Sequence, residues 1–150
     1  MTASPQFRSN LSSQRVRKVF AFSVGLAFLA IGVLGFIPGA TTGTDELSWA
    51  GPHTDTYLFG IFAVSILHNL VHLGFGILGL IMALRPIGAR IYLIGGGLGY
   101  IAITIYGLMI DHGSDLNFLP VNDADNWLHL GVGLGMVFLG IVPLRTPNKG

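Results

Sequence analysis

Four apolar runs, each long enough to cross a bilayer, constrain this chain more than any other feature of its sequence. They are Val19–Ile37, Tyr57–Leu84, Ile91–Ile110 and Asn126–Leu144. A helix needs about 20 predominantly apolar residues to span the hydrocarbon core. The sequence therefore predicts an all-α integral membrane protein with four transmembrane helices packed as a bundle.

Composition supports this prediction and excludes several classes of protein. Charged residues make up 10% of the 150 residues and hydrophobic residues 51%, whereas a soluble domain carries about 25% charged residues. The net charge of +1 is too small for a nucleic-acid-binding surface. Because the chain has no cysteine, disulfides, thiolate metal sites and cysteine nucleophiles are excluded.

The charges are sorted by loop, and this sorting predicts the topology. Basic residues lie in the N-terminal segment, in the turn after the second run and at the C-terminus: Arg8, Arg15, Arg17, Lys18, Arg85, Arg90, Arg145 and Lys149. Acidic residues lie in or beside the two other loops: Asp45, Glu46, Asp55, Asp111, Asp115, Asp123 and Asp125. The positive-inside rule places both termini in the cytoplasm. We expect a basic cytoplasmic segment (1–18), one membrane domain (19–144) and a cytoplasmic tail (145–150).

The second and fourth runs resemble each other without gaps. His68–Gly76 aligns with Asp125–Gly133, and the identical positions include an Asn and a His that are rare inside membranes. The first and third runs align more weakly, with Phe28 opposite Tyr100. The sequence thus predicts two tandem helical hairpins related by a pseudo-two-fold axis along the membrane normal.

Glycines at small-residue spacings predict close packing between these helices. Lipid provides no hydrophobic drive for helix association, so close backbone contact has to supply it. The expected packing residues are Gly74, Gly76, Gly95, Gly99, Gly131, Gly133 and Gly135.

Polar residues form one stripe on the second run and a matching stripe on the fourth. Helical neighbours three and four residues apart share a face, which groups Ser65, His68, Asn69 and His72, and likewise Asn122, Asp125, Asn126 and His129. At 1.5 Å per residue, His72 and His129 lie roughly 18 and 22 Å above the basic ends of their runs, in the outer half of the bilayer. Ionisable groups at this depth mark a functional site or a structural pair.

Several interpretations of this cluster stay open. The first is a transition-metal site for zinc, iron or manganese, with ligands His68, His72, Asp125 and His129 and with Ser65, Asn69, Asn122 and Asn126 orienting them. The second is a haem held between His72 and His129. The third is a set of structural hydrogen bonds between helices, including a pair between His68 and Asp125. Transport or proton conduction requires an oligomer, because the polar groups are confined to one half of the bilayer.

No catalytic motif accompanies the cluster. The chain has no G-x-S-x-G elbow, P-loop, dinucleotide fingerprint or H-E-x-x-H. His53 and His112 lie beside acidic or polar loop residues and are expected to be solvated. We therefore expect a non-enzymatic bundle that acts as an accessory or scaffold, whose partners are the lipid bilayer and either other membrane subunits or further copies of itself, not nucleic acid.

Two motifs carry a resemblance to a known family. They are H-N-x-x-H, at His68–His72, and N-x-x-D-N-x-x-H, at Asn122–His129. With four spans, the chain resembles, over roughly residues 16–145, the small four-span membrane proteins, frequent in actinobacteria, known as a domain of unknown function (DUF4383-like). The resemblance implies a location in the bacterial plasma membrane and transfers no catalytic residue.

Overall fold

Four helices make up most of the described part of the chain. A computed structural model describes residues 5–52 and 55–141, with side chains from residue 13 onward. The helices are α1 (Pro5–Leu34), α2 (Ile66–Ala83), α3 (Pro86–Met109) and α4 (Asp123–Ile141). Each contains a stretch long and apolar enough to cross a membrane, in α1 the stretch Ser13–Leu34. The predicted all-α membrane bundle of four helices is confirmed.

The second helix begins later than its apolar run. Tyr57–Leu58 and Phe62–Ala63 are short strands, so the predicted helical start at Tyr57 is wrong. Phe59 and Gly60 connect these strands with positive φ angles of 54° and 69°, which a helix does not allow. Ser65 then caps α2, its hydroxyl oxygen accepting a hydrogen bond from the His68 N–H at 3.1 Å.

The limits of the other helices shift as well: α1 runs from Pro5 to Leu34, whereas the sequence predicted a span from Val19 to Ile37. Pro86 begins α3 immediately after Arg85, because proline suits the first helical turn, whereas the sequence predicted Ile91. Asp123 rather than Asn126 begins α4. The predicted end of the fourth span at Leu144 and the tail 145–150 lie outside the described residues.

The helices pack as two close pairs, α1 with α2 and α3 with α4. Glycines make each pair close. A Cβ atom placed on Gly25 would lie 2.9 Å from the Gly76 carbonyl oxygen, and one on Gly97 would lie 2.7 Å from the Gly133 carbonyl oxygen. These distances are too short for a side chain, so the two backbones touch directly, as in other membrane helix pairs.

Only part of the predicted glycine packing is found. Gly76 and Gly133 lie at helix contacts, but a Cβ atom on five other glycines would meet nothing within 4 Å among the described residues: Gly74, Gly95, Gly99, Gly131 and Gly135. These five are exposed. Small-residue spacing marks a helix face without saying what covers it, so the expected role does not apply to them within this bundle.

A small β-ribbon covers one end of the bundle. β1 (Thr41–Thr42), β2 (Tyr57–Leu58) and β3 (Phe62–Ala63) form an antiparallel sheet in that order. The loop that carries the ribbon contacts the loop before α4, where the Gly51 N–H donates to the Phe118 carbonyl at 2.9 Å. The two loops that the sequence placed outside therefore lie together at one end.

Beneath the ribbon, aromatic rings fill the centre of the bundle. Phe28 of α1 stacks on Tyr100 of α3, with 5.1 Å between ring centroids, and meets Phe75 of α2 edge-on at 5.0 Å. Leu93 and Met136 lie deeper and are buried. This aromatic layer separates the loop end from the remainder of the apolar core.

Candidate functional site

Three histidines converge just beneath the β-ribbon. His68 and His72 lie one turn apart on α2, and His129 faces them from α4; all three are at least nine-tenths buried. Each offers one ring nitrogen to a group in which the ligand atoms all lie within 4.8 Å of one another. We call His68, His72 and His129 the histidine triad.

A backbone carbonyl orients the first histidine. The Nδ1 atom of His68 lies 3.0 Å from the carbonyl oxygen of Pro120. Since a carbonyl only accepts, the Nδ1 atom carries the hydrogen and the lone pair of the neutral ring lies on Nε2. Such an outer hydrogen bond is the usual way in which a metal-binding histidine is held in one tautomer.

The other two histidines have nitrogens without hydrogen-bond partners. The Nδ1 atoms of His72 and His129 are buried and make no hydrogen bond to any described residue. The rings contact the aromatic layer instead, His72 at 5.6 Å from Phe28 and His129 at 5.0 Å from Tyr100, between ring centroids. A buried polar atom without a partner costs about 1–3 kcal/mol, so this arrangement requires a physical reason.

Asp125, the fourth predicted ligand, lies next to the triad but is bound elsewhere. Its Oδ2 atom accepts hydrogen bonds from the Ala63 and Asn122 N–H groups, both at 3.0 Å. In return, the Asn122 Oδ1 atom accepts from the Asp125 N–H at 3.0 Å. Asp125 thus ties the start of α4 to strand β3, and His68 pairs with Pro120 rather than with this carboxylate.

The four residues predicted to orient the ligands differ in whether they have hydrogen-bond partners. Ser65 caps α2, as described above, and the Asn122 amide donates to the Ile61 carbonyl at 2.8 Å. Asn69 lies against Gly35, where neither of its amide atoms has a hydrogen-bond partner among the described residues. Asn126 likewise lies against a glycine, Gly107.

One loop histidine has a more specific place than the sequence indicated. The Nε2 atom of His112 lies 2.9 Å from the Gly107 carbonyl oxygen and 3.3 Å from the Asn126 amide nitrogen. It is therefore a part-buried hydrogen-bonding residue rather than a solvated one. His53 lies outside the described residues.

A cavity of about 200 Å³ adjoins the triad. His68, His72 and His129 form one wall with Tyr100 and Asp125, and apolar residues of α1, the ribbon and α4 form the others. Phe28, Tyr100 and Pro120 also contact the histidines, and none of these contacts was predicted from the sequence. The weak match that pairs Phe28 with Tyr100 was the available signal for two of them.

Comparison with known proteins identifies the family but no characterised relative. No curated protein and no solved structure matches the chain. The family described as a domain of unknown function (DUF4383) matches residues 18–142, which include most of the first span, all of the other three and the whole triad. The chain therefore belongs to this family of unknown function.

Proposed function

We propose that this protein binds one transition-metal ion through the Nε2 atom of His68 and one ring nitrogen each of His72 and His129. The convergence of three buried imidazoles is the observation that carries this proposal. A tetrahedral zinc ion with zinc–nitrogen distances of 2.0–2.1 Å places its ligands about 3.4 Å apart. The three ligand atoms lie within 4.8 Å of one another and have to move closer together to reach this spacing.

The cost of burying ring nitrogens without hydrogen bonds favours metal binding over a purely structural role. Structural histidines in hydrocarbon are expected to bridge helices by hydrogen bonds, yet the Nδ1 atoms of His72 and His129 have no such partner among the described residues. A metal bond from either histidine occupies a lone pair that is otherwise unused. Nitrogen ligands suit zinc, iron and copper. Zinc has no electronic preference for one coordination geometry, so it can adapt to the arrangement of these three histidines.

A haem is a poorer fit to the same residues. Bis-histidine ligation requires a flat slot for the macrocycle between His72 and His129. The rings of Phe28 and Tyr100 lie against these two histidines and stack on each other. A macrocycle would have to displace this aromatic layer.

Metal analysis of the protein purified in detergent tests the proposal. We expect one equivalent of zinc or of added Co²⁺ per chain in the wild type. His72→Gln and His129→Gln should each weaken binding by about 10–100-fold or more, while His112→Gln, whose ring lies outside the triad, should leave the stoichiometry unchanged. A wild-type protein that takes up no metal from a solution of Zn²⁺ or Co²⁺ would overturn the proposal.

We also propose that the triad lies near the outer face of a bacterial plasma membrane. Arg15 and Lys18 line a groove with Ala83, Leu84 and Pro86, so the basic segment and the basic turn are at the same end of the bundle. The acidic loops and the ribbon lie at the other end. The positive-inside rule assigns the basic end to the cytoplasm.

Matching contacts support the proposal of an internal repeat. Gly25 meets Gly76 as Gly97 meets Gly133, and Gly35 meets Asn69. In the second hairpin the corresponding pair is Gly107 and Asn126. Each contact thus recurs at the aligned positions, as expected of two related hairpins.

A scaffold role is the second candidate, and the outward glycines favour it. Gly95 and Gly99 on α3, and Gly131 and Gly135 on α4, expose small-residue faces of the kind that associate with other helices. Cross-linking in native membranes tests this role. Gly99→Leu and Gly135→Leu should abolish a cross-linked dimer or heteromer, and a wild-type protein that yields no cross-linked species contradicts it.

A further inference from the structure

The cavity beside the triad has a defined position and composition. It lies between α1 and α4, which make little contact with each other, and strand residues of the ribbon form its roof. Apart from the triad, Tyr100 and Asp125, its walls are apolar. A cavity of about 150 Å³ with apolar walls binds benzene in other proteins, so the 200 Å³ here accommodates a molecule of that size.

Exposed residues border the cavity on one side, at the gap between α1 and α4. Ala27 and Leu128, on opposite sides of this gap, both line the cavity and are exposed. In a bilayer the exposed faces of these spanning helices meet lipid. A molecule dissolved in the membrane can therefore reach the triad between α1 and α4 without passing through the ribbon.

The charge of a bound ion constrains what binds there. Three neutral imidazoles leave a divalent ion with its full charge of two, and an uncompensated charge is costly in a low-dielectric medium. Asp125, the carboxylate that lines the cavity, supplies at most one negative charge, and its Oδ2 atom is held by two backbone N–H groups. An anionic donor atom on the fourth position of the ion would offset part of this cost.

We propose that the fourth position takes an apolar weak acid of about the size of benzene, which enters from the membrane. Its ionised donor atom binds the ion and its apolar body occupies the cavity between α1 and α4. On binding, the weak acid loses its proton, and its donor atom replaces a water molecule on the ion. The released water takes up this proton and leaves as a hydronium ion. This inference rests on the proposed metal site and names its ligand class.

Visible absorption of the Co²⁺-loaded protein in detergent tests the inference with two probes. One is para-methylbenzenethiol, an apolar weak acid, and the other is azide, an anion without an apolar body. We expect both to change the Co²⁺ spectrum of the wild type. Ala27→Phe, which places a ring at the mouth of the cavity, should weaken thiol binding by about tenfold or more and leave azide binding unchanged.

A matched variant and a second obstruction complete the design. Ala30 lies on the same helix, is exposed and does not line the cavity, so Ala30→Phe should bind both probes as the wild type does. Leu128→Trp obstructs the mouth from α4 and replaces Ala27→Phe if that variant fails to fold. A wild type that binds Co²⁺ but not the thiol, or equal thiol affinity in wild type and obstructed variants, overturns this inference alone. Failure to bind Co²⁺ overturns the metal site and the inference together.

Discussion

At the scale of the residue, each of the two buried asparagines packs its amide group against a glycine. The amide of Asn69 occupies the position where a side chain on residue 35 would lie, and Gly35 leaves that position empty. Asn126 and Gly107 repeat the arrangement. The glycine is required here for its missing Cβ rather than for its backbone conformation.

Replacing Gly35 should therefore destabilise the protein through Asn69. Gly35→Ala places a methyl group on the Asn69 amide, and we expect a loss of about 1–3 kcal/mol in the free energy of unfolding. The shorter side chain of Asn69→Ala should remove most of that loss in the double variant. Reversible unfolding in mixed detergent measures all three; strictly additive effects would show that the two residues do not compete for space.

At the scale of the element, α2 and α4 each have a glycine at a helix contact and another facing outward. Gly76 meets the backbone of α1, whereas Gly74 meets no other part of the described chain. The sequence predicted a packing role for both glycines, because spacing along a helix indicates which residues share a face but not which face contacts a neighbouring helix.

This difference predicts opposite effects of the same substitution on α2. A Cβ atom on Gly76 would lie 2.7 Å from the Leu29 nitrogen, so Gly76→Ala should push the two helices apart and cost about 1–3 kcal/mol. Gly74→Ala should be neutral or stabilise the helix by up to about 1 kcal/mol. Thermal unfolding in detergent compares them, and equal destabilisation by both would contradict the assigned helix contact.

Asp125 belongs to this scale because it joins two elements. Asp125→Ala removes both hydrogen bonds to its Oδ2 atom, and we expect a loss of about 1–3 kcal/mol together with faster proteolysis at the ribbon. Asp123→Ala, at an exposed position in the same helical turn, is the matched control and should be close to the wild type. Metal stoichiometry should persist in Asp125→Ala; its loss, with the helices still folded, would make this carboxylate a ligand.

At the scale of the whole molecule, the distribution of charge distinguishes the two ends of the bundle. Among the described residues, Arg15 and Lys18 of α1 lie beside the turn between α2 and α3, while the acidic loops meet at the ribbon. Because the chain has no cysteine, a single introduced thiol reports the side of the membrane on which it lies.

Labelling of intact cells with a membrane-impermeant maleimide tests the orientation. Asp115→Cys, in the loop before α4, should react in intact cells because the positive-inside rule places that loop outside. Ser4→Cys, in the basic N-terminal segment, should react only after the membrane is made permeable. The reverse pattern would place the triad near the cytoplasmic face.

Much of the site was predictable in kind but not in detail. The i, i+4 spacing of His68 and His72 put both on one face of α2, and the match between the second and fourth runs drew attention to His129. The same pattern suggested Asp125 as a ligand, whereas its carboxylate binds the backbone N–H of Ala63 in the ribbon. Ala63 is far from Asp125 in the sequence and lies in a segment whose apolar composition had predicted a helix. A contact of this kind leaves no periodic signal in the sequence.

The sequence by itself determined the number of spans, the membrane setting and the polar stripes, because these depend on local composition and on helical periodicity. The tertiary structure decided which faces meet. It turned Gly76 inward and Gly74 outward, folded the residues before Ser65 into a ribbon, and left a cavity between α1 and α4 beside the triad. The physical reason is that lipid is as apolar as the helices, so hydrophobicity does not select the packed face, and the fit of backbones and side chains does.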